Sequence, residues 1–319
     1  MPRYNAAVIV LQPMNSPANA GKEPRELLTG LLLAGGGAIA FSCKAIIAKL
    51  CYRYGVDGVT TVMYRMLFAM PLFVALSWWA GRGKPPLAGR DWIALSGLGC
   101  CGYYLASTLD FVGLQYISAS LERLILYLNP TIVLLAGMLL FKTKVSARQW
   151  LALGVSYIGV LLVFGHDLRA GPNVAIGSAL VFGSAVSYAL YLVFSGELVR
   201  RLGALRITGI STSIASVLCI AQFFVLKPAS AMAVAPEVLW LSALNATLCT
   251  FVPVLMTMIA LERIGAGITA QVGMIGPMST ILLSVLVLGE PFNAWIAAGT
   301  ALVVSGVWLL ARRKQPISL

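Results

Sequence analysis

The sequence predicts an all-α membrane protein with ten transmembrane helices, arranged as two inverted five-helix repeats. Three observations lead to this fold class: an apolar composition, ten long apolar stretches, and a segment that recurs after a shift of 147 residues. Apolar types make up 59% of the 319 residues, charged types make up 11%, and the mean hydropathy is +0.89. A soluble domain carries about 25% charged residues. This chain has too few charges to cover a surface in water, so we expect lipid to be its main solvent.

Ten stretches are long and apolar enough to cross a bilayer, which takes about 20 residues in a helix. The connections between them are short and leave no segment for a soluble domain. Because lipid offers the backbone no hydrogen bonds, a bundle of helices follows. In chain order the stretches are Leu27–Leu50, Val59–Ala80, Asp91–Val112, Tyr116–Leu140, Ala147–Gly165, Val174–Phe194, Ile207–Leu226, Pro236–Ala260, Ala266–Leu288 and Asn293–Ala311.

The remaining segments predict the orientation and the domain organisation. With the N-terminus in the cytoplasm, the inside segments hold sixteen Lys and Arg residues, and the outside loops hold only Arg53, Arg169 and Lys227. Basic residues concentrate on the cytoplasmic side of membrane proteins, so we expect both termini in the cytoplasm and the chain in the inner (plasma) membrane. We expect a disordered cytoplasmic tail over 1–26, the two repeats over 27–165 and 174–311, and a cytoplasmic C-terminal tail over 312–319.

The composition also excludes several classes of partner and site. The net charge of +12 would suit a nucleic-acid partner, but the basic residues lie in short loops without forming a basic face, so we expect no nucleic acid. The six cysteines lack metal-ligand spacing and His166 is the only histidine, so we expect no metal and no cofactor. No GxxxxGK[ST] loop for nucleotide phosphates occurs. We therefore expect neither ATP hydrolysis nor another enzymatic activity.

A segment near the middle of the chain recurs near its end. The run "GLQYISASLERLILYLNPTIVLLAGMLLFK" (Gly113–Lys142) aligns with "ALERIGAGITAQVGMIGPMSTILLSVLVLG" (Ala260–Gly289) at a constant offset of 147, which brings Pro130 onto Pro277. A few residues later "QWLALG" (Gln149–Gly154) matches "AWIAAG" (Ala294–Gly299) at an offset of 145. Helices four and five thus resemble helices nine and ten. Because five is odd, the second half must enter the membrane from the opposite side. Inverted repeats are typical of secondary transporters, whose substrate site lies near the midplane between the halves.

Motifs in both halves resemble those of one transporter family. The run "GPMSTILLSVLVLGEPFNAWIAAGTALVVSGVWLL" (Gly276–Leu310) holds a proline, an LGE turn at 288–290 and spaced glycines. Together with "YRMLFAMPL" (Tyr64–Leu72), it resembles the EamA-type transporters of the drug/metabolite transporter superfamily. The first half departs from the pattern, with "FKTK" (Phe141–Lys144) where LGE would stand. The resemblance covers nearly the whole chain after the N-terminal tail. It implies a ten-helix carrier that exports amino acids or other small metabolites.

Five charged side chains in or beside the apolar stretches are candidates for a substrate or coupling site. A charge at the centre of a membrane helix costs about 2.5–3.5 kcal/mol on insertion scales, so it is a functional candidate by default. Lys44 lies near the middle of helix one and Arg65 lies within helix two, whereas Asp110 ends helix three and both Glu122 and Arg123 lie early in helix four. The bases outnumber the acids. We therefore expect a substrate with a carboxylate or another anionic group, bound by Lys44 or Arg123.

Each charge also has a structural interpretation, which the sequence leaves open. Glu122 and Arg123 would also suit an interfacial pair, or a carboxylate that the dipole at a helix N-terminus favours. The bases of helices one and two could extend to the interface, and Asp110 could cap its helix or pair with Arg123 across the short loop. The repeat equivalent of Glu122 is Thr269. The fold itself therefore does not require this carboxylate.

Two prolines and three uncharged side chains complete the candidate site. Pro130 and Pro277 each remove one helix hydrogen bond, which predicts either a static kink or a flexible point at which half a helix moves. Gln271 belongs to a glycine-rich run typical of a cavity lining. Tyr103 and Trp240 lie in the equivalent helices three and eight, and they would either wall the cavity or serve as packing and interface residues.

These observations favour one function and leave two alternatives. The favoured function is a secondary active transporter that exports small metabolites, amino-acid-like or carboxylate-bearing, by alternating access. We expect Glu122 to face the central cavity from the outer half of helix four and to couple protons or substrate, with Lys44 or Arg65 as its cationic partner. The partners would be a small-molecule substrate and the lipid bilayer. An intramembrane enzyme and a non-transporting membrane scaffold are the alternatives.

Overall fold

The computed structural model describes residues 24–141, 145–168, 171, 173–273 and 275–311, and it contains helices and no strand within these ranges. The predicted C-terminal tail and nearly all of the predicted N-terminal tail lie outside the described residues. The described α-helices are, in chain order, Pro24–Arg53 (α1), Gly58–Gly81 (α2), Gly89–Gly99 (α3), Ala106–Gly113 (α4), Ala119–Leu126 (α5), Asn129–Phe141 (α6), Ala147–Asp167 (α7), Val174–Leu202 (α8), Ala204–Leu226 (α9), Pro236–Ala246 (α10), Val252–Gly273 (α11), Ile275–Leu283 (α12) and Ala294–Ala311 (α13).

Many of the described helices are apolar enough to cross a membrane. By length and composition, seven described segments qualify: Leu27–Arg53, Gly58–Gly81, Ala119–Leu140, Ala147–Asp167, Val174–Gly196, Ala204–Leu226 and Pro236–Ala260. The apolar helices Ile275–Leu288 and Ala294–Leu309 are shorter. The predicted third crossing is one helical rod, because α3, a π-helical segment Cys100–Leu105 and α4 follow one another without a break. The chain is therefore a bundle of apolar helices, as the composition predicts.

Helix α11 runs through residues 261–265, where the sequence predicts a loop between helices eight and nine. In a straight helix, residues 253 and 276 would lie about 35 Å apart. Both nevertheless lie against residues 37–42 of α1, so the chain turns back between them. Three contacts with α1 trace this path: Pro253 against Gly37, Ile264 against Gly30, and Gly276 against Ser42.

The two halves meet through contacts that recur after the shift of 147 residues. If a residue of the first half contacts a residue of the second half, the residue 147 positions after the first contacts the residue 147 positions before the second. We call two such contacts a twin pair. Such reciprocal contacts are those of an isologous interface, in which one surface is used twice about a two-fold axis. There are three twin pairs among the glycine contacts. The contact Gly30–Ile264 pairs with Gly177–Ile117, Gly36–Met256 pairs with Gly183–Leu109, and Gly159–Gly299 pairs with Gly306–Ala152.

Local irregularities follow the same shift. The π-helical segment Cys100–Leu105 precedes α4, and its counterpart Thr247–Phe251 precedes α11. Helix four is interrupted after α5, and α6 starts at Asn129, so Pro130 lies at the beginning of a new helix. Proline fits the first turn of a helix, where its missing N–H has no intrahelical partner. Pro130 therefore begins a new helical segment and does not kink a continuous one. Pro277 lies in α12, three residues after position 274, which is outside the described residues, so its effect on helix nine stays a prediction.

Helices α7 and α13 pack so closely that only small residues fit between them. A methyl group on Gly159 would lie 2.7 Å from the carbonyl oxygen of Gly299, and one on Gly306 would lie 2.7 Å from that of Ala152. Small residues allow this approach and are enriched at helix contacts in membranes.

Replacing Gly159 by alanine should lower the unfolding temperature of the purified protein in detergent. The added methyl group would force α7 and α13 apart, and overpacking of this kind costs about 1–3 kcal/mol. Gly154→Ala is the matched control, because it lies on the same helix and its methyl group would meet no described atom within 4 Å. The control should be neutral or stabilising by up to about 1 kcal/mol, since alanine is the better helix former. Equal unfolding temperatures for the two variants would contradict this packing.

Candidate functional site

Charged side chains from helices one, three and four meet inside the bundle. Nζ of Lys44 on α1 donates a hydrogen bond to Oδ2 of Asp110 on α4, and it lies 3.5 Å from Oε1 of Glu122 on α5. All three side chains are buried, and Glu122 is 0% exposed. One ammonium group is thus shared by two carboxylates. With Arg65 and Arg123, which lie beside them, these residues form what we call the central cluster.

The start of α5 places Glu122 in this cluster. The Ser118 hydroxyl accepts the backbone amide of Leu121 at 3.1 Å, which is the N-cap arrangement that begins a helix. Glu122 therefore lies in the first turn of α5, where the helix dipole favours a carboxylate. The structural and the functional interpretations of this residue are compatible, because the turn that stabilises the carboxylate also presents it to Lys44.

Two phenylalanine rings separate the three cations. The guanidinium carbon of Arg65 lies 4.9 Å from the ring centroid of Phe111, and that of Arg123 lies 5.6 Å from the centroid of Phe41. Nζ of Lys44 lies 5.5 Å from Phe41 and 5.7 Å from Phe111. Aromatic faces attract cations, so the rings offset part of the cost of removing these charges from water.

Several buried polar atoms of the central cluster have no hydrogen-bond partner among the described residues. They are Nε of Arg65, Nε of Arg123, Oδ1 of Asp110 and both carboxylate oxygens of Glu122. Oε1 of Glu122 is within ion-pair distance of Lys44, but it accepts no hydrogen bond. Most buried polar groups in proteins are hydrogen-bonded. Free donors on guanidinium groups and free acceptors on carboxylates are what a charged ligand or bound water would engage.

The second half contributes a polar residue that the sequence analysis missed. Asn245 on α10 is buried, and its Nδ2 donates to the backbone carbonyl of Lys44 at 3.2 Å. Its Oδ1 and the hydroxyl of the nearby Ser242 are buried without a described hydrogen-bond partner. The only sequence signal is their position within the apolar run "LSALNATLC" (Leu241–Cys249).

Tyr103 lies on helix three, in the π-helical segment before α4. Its hydroxyl lies 3.2 Å from that of Tyr191 on α8, and its ring packs against the apolar cluster that contains Ile207 of α9. Farther along the same helix, Ser107 accepts a hydrogen bond from Arg65 at 3.4 Å. The described contacts of Tyr103 are thus with α8 and α9.

The structure does not place Trp240 with Tyr103. The Trp240 side chain is 79% exposed, so the prediction that it walls the same cavity is corrected. The reason is the repeat register, since the shift of 147 relates Tyr103 to Thr250 and not to Trp240. The side chain of Gln271 lies outside the described residues.

The structure also bears on two pairings that the sequence left open. Asp110 pairs with Lys44 and not with Arg123, whose guanidinium group instead donates to the carbonyl of Phe41 at 3.4 Å. Of the two bases predicted as partners of Glu122, Lys44 is within ion-pair distance, while Arg65 lies over the ring of Phe111. Neighbouring positions on a helix point about 100° apart, which is why Arg123 meets different groups from Glu122.

The charges of the cluster belong to the first half alone. The shift of 147 relates Lys44, Asp110 and Glu122 to Tyr191, Thr257 and Thr269, none of which is charged. The two-fold relation of the backbone is therefore not matched by the chemistry of the side chains.

A family model describes both halves of this chain. The model of the EamA-like transporter family matches residues 28–165 and again residues 175–312. The chain belongs to the EamA-like transporter family. This confirms the resemblance seen in the sequence, and with the apolar helices it identifies a multi-pass membrane transporter that contains the family domain twice. Membership of this family implies a small-molecule substrate.

Curated relatives are named as transporters. The chain is 29% identical to the uncharacterized transporter YcbK of Bacillus subtilis over 83% of this chain and 87% of that one. It is 22% identical to an uncharacterized transporter of Archaeoglobus fulgidus over 81% of this chain and 89% of that one. A solved crystal structure shares the fold with a TM-score of 0.60 and 18% identity, over 90% of this chain and 99% of that one.

Replacing Lys44 by methionine should destabilise the protein strongly. The substitution keeps an apolar side chain of similar length but leaves Asp110 and Glu122 buried without their cation, and breaking a buried ion pair in this way costs about 3–5 kcal/mol. Lys49→Met is the matched control on the same helix, because Lys49 is only half-buried. Thermal unfolding in detergent measures both. Equal unfolding temperatures would mean that the shared ammonium does not hold the cluster together.

Proposed function

We propose that this member of the EamA-like family is a secondary active transporter that exports small metabolites by alternating access. The observation that carries the proposal is the central cluster, in which Lys44 is shared by two carboxylates inside an apolar bundle. Ionisable groups at membrane depth are costly, and where they occur they mark substrate and ion pathways. The unpartnered polar atoms around Lys44 support a ligand at this point.

The charges of the cluster favour an amino-acid-like or otherwise carboxylate-bearing substrate. The three cations Lys44, Arg65 and Arg123 exceed the two carboxylates Asp110 and Glu122 by one charge. A substrate carboxylate would balance this excess, and the fork of an arginine suits it because two N–H groups can bind both oxygens. The free oxygens of the two acids would accept the amino group of an amino acid.

The contact between helices four and nine supports movement of the two halves. The Tyr127 hydroxyl, just after α5, donates to the carbonyl of Gly273 at 3.2 Å. Gly273 lies four residues before Pro277, whose missing N–H leaves that carbonyl without an intrahelical partner. In transporters built from repeats, broken helices meet at the substrate site and one unit rocks against the other. We propose that Pro130 and Pro277 mark the points at which these helices bend.

The proposed topology has ten membrane crossings in two inverted five-helix repeats, with both termini cytoplasmic and the chain in the inner membrane. The asymmetry of basic residues in the loops supports the orientation, and the reversal of the chain near Ile264 supports separate eighth and ninth crossings.

Reporter fusions test this topology. A fusion after Lys314 should report the cytoplasm, and an insertion within Gly165–Pro172 should report the outside, because an odd number of crossings separates the two positions. A fusion after Lys314 that reports the outside would reverse the orientation, and two reporters on the same side would reject the ten-helix count.

A ligand search followed by one substitution tests the mechanism. Amino acids, organic acids and nucleobases are first screened for a rise in unfolding temperature, since a ligand that binds the folded state stabilises it. Glu122→Gln should then leave expression near normal but abolish the pH dependence of transport of that ligand in liposomes, because the amide keeps the shape of the carboxyl group without its proton exchange. Arg123→Gln is the companion variant, and it should weaken ligand binding while the pH profile persists.

Two outcomes would count against the proposal. If no class of ligand raises the unfolding temperature and no flux occurs in liposomes, the protein is better described as a scaffold. If Glu122→Gln transports with an unchanged rate and pH profile, Glu122 is a structural residue of the α5 terminus.

A further inference from the structure

A third carboxylate, outside the central cluster, joins the second half of the chain to the start of α5. Glu290, in the connection between α12 and α13, accepts the backbone amides of Ala119 at 2.8 Å and Ser120 at 3.3 Å, and the Ser120 hydroxyl at 3.1 Å. The Ser120 hydroxyl also lies 3.0 Å from that of Ser284. These four residues join the second half of the chain to the first, and we call their contact the latch.

The turn before Glu290 explains how its carboxylate reaches α5. Gly289 has a φ of 72°, which glycine adopts without strain, and the Glu290 amide donates to the carbonyl of Ser284 at 3.1 Å. The carboxylate therefore accepts hydrogen bonds from the backbone N–H groups of Ala119 and Ser120, which have no hydrogen-bond partner within α5. These groups lie at the positive end of the helix dipole. Hydrogen bonds to an ionised acceptor are stronger than neutral ones. The LGE turn of the second half therefore holds a helix of the first half.

The latch lies immediately beside Glu122. Ala119 and Glu122 are three residues apart, which corresponds to about 4.5 Å along the axis of α5. Farther along helices four and nine, the hydroxyl of Tyr127 donates to the carbonyl of Gly273. The two helices are thus in contact at both ends of α5, and the fully buried Glu122 lies between these contacts in the sequence.

The sequence provides no equivalent latch at the opposite end of the molecule. The shift of 147 relates Glu290 to Thr143, Ser120 to Gly267 and Ser284 to Gly137. These positions offer neither a carboxylate nor a pair of hydroxyl groups. Only one end of the bundle can therefore be closed by this chemistry.

We propose that Glu290 is a positioning residue that closes one end of the transport pathway. While its carboxylate holds the start of α5, the central cluster is shut off from the face that bears Glu290, and this contact must open before a substrate can cross. The inference rests on the proposed function, because it takes the central cluster as the point that the substrate passes. It adds the residue that controls access to that point.

Side-specific labelling tests the latch without any substrate. Thr280→Cys provides the reporter, because Thr280 on α12 is 0% exposed and lies four residues, about one helical turn, before Ser284 of the latch. A membrane-impermeant maleimide is added to sealed vesicles from the face that bears Glu290, and mass spectrometry measures the label at residue 280 separately from the native cysteines. Adding Glu290→Gln should increase the labelling rate by about fivefold or more, because a neutral amide holds the helix terminus less strongly.

Two companion variants separate the charge of Glu290 from general loosening of the structure. Glu237→Gln removes another acid in the first turn of a helix, α10, where the side chain is exposed, and it should leave the labelling rate unchanged. Glu290→Asp retains the charge and should restore most of the protection. Equal labelling of the parent and Glu290→Gln proteins, or equal acceleration by Gln and Asp, overturns the proposal.

A reversible cross-link tests whether the latch must open. In the Ser120→Cys, Ser284→Cys double variant, two copper(II) phenanthroline ions each accept one electron, the two thiol protons pass to the buffer, and a disulfide forms. Oxidation should reduce transport in liposomes by about tenfold or more, and a reducing agent should restore it, while the same oxidation leaves the transport rate of each single variant at its own unoxidised value. Unimpaired transport by the cross-linked protein overturns the proposal. If the parent protein transports no carboxylate-bearing substrate, the proposed function fails, and the labelling rates still decide the latch.

Discussion

The burial of one ammonium group is the constraint on which the rest of the structure depends. A cation that has left water must be neutralised and hydrogen-bonded within the protein. For Lys44 this takes Asp110 and Glu122, which belong to different helices, and two aromatic rings. One nitrogen atom therefore fixes the relative positions of α1, α4 and α5. Asn245 binds the backbone carbonyl of the same lysine, so the second half of the chain is fixed at this point as well.

The two repeats share a backbone plan and divide the chemistry between them. The first half supplies all the charges of the central cluster, and the equivalent positions of the second half carry uncharged residues such as Tyr191 and Thr269. The second half supplies Glu290, whose carboxylate reaches across to the start of α5. The first half carries "FKTK" where the matching LGE turn would stand. Each half thus supplies charged groups that the other half lacks at the equivalent positions.

The sequence was a good guide to the helical bundle, to the shift of 147 and to the residues of the central cluster. Charges are rare in apolar runs, so Lys44 and Glu122 were conspicuous before any contact was known. Their pairing was not predictable, because it depends on how far a π-helical segment rotates Asp110 about its helix, and that segment has no sequence signature. Asn245 is uncharged and lies in an apolar run, so only its contact with Lys44 in the folded protein identifies it as part of the site. The cavity-wall alternative for Trp240 fails because its helix is equivalent to that of Tyr103 but its position in the repeat is not.

The reciprocal contacts between the halves have a thermodynamic consequence. In a carrier built from two identical inverted halves, a two-fold rotation would convert the inward-facing conformation, with all its contacts, into the outward-facing one. They would have the same free energy and would be equally populated. Any resting preference must then come from positions where the repeats differ, such as Glu290 opposite Thr143. If this chain works by the proposed alternating access, the divergence between its halves decides which conformation the protein occupies when no substrate is bound.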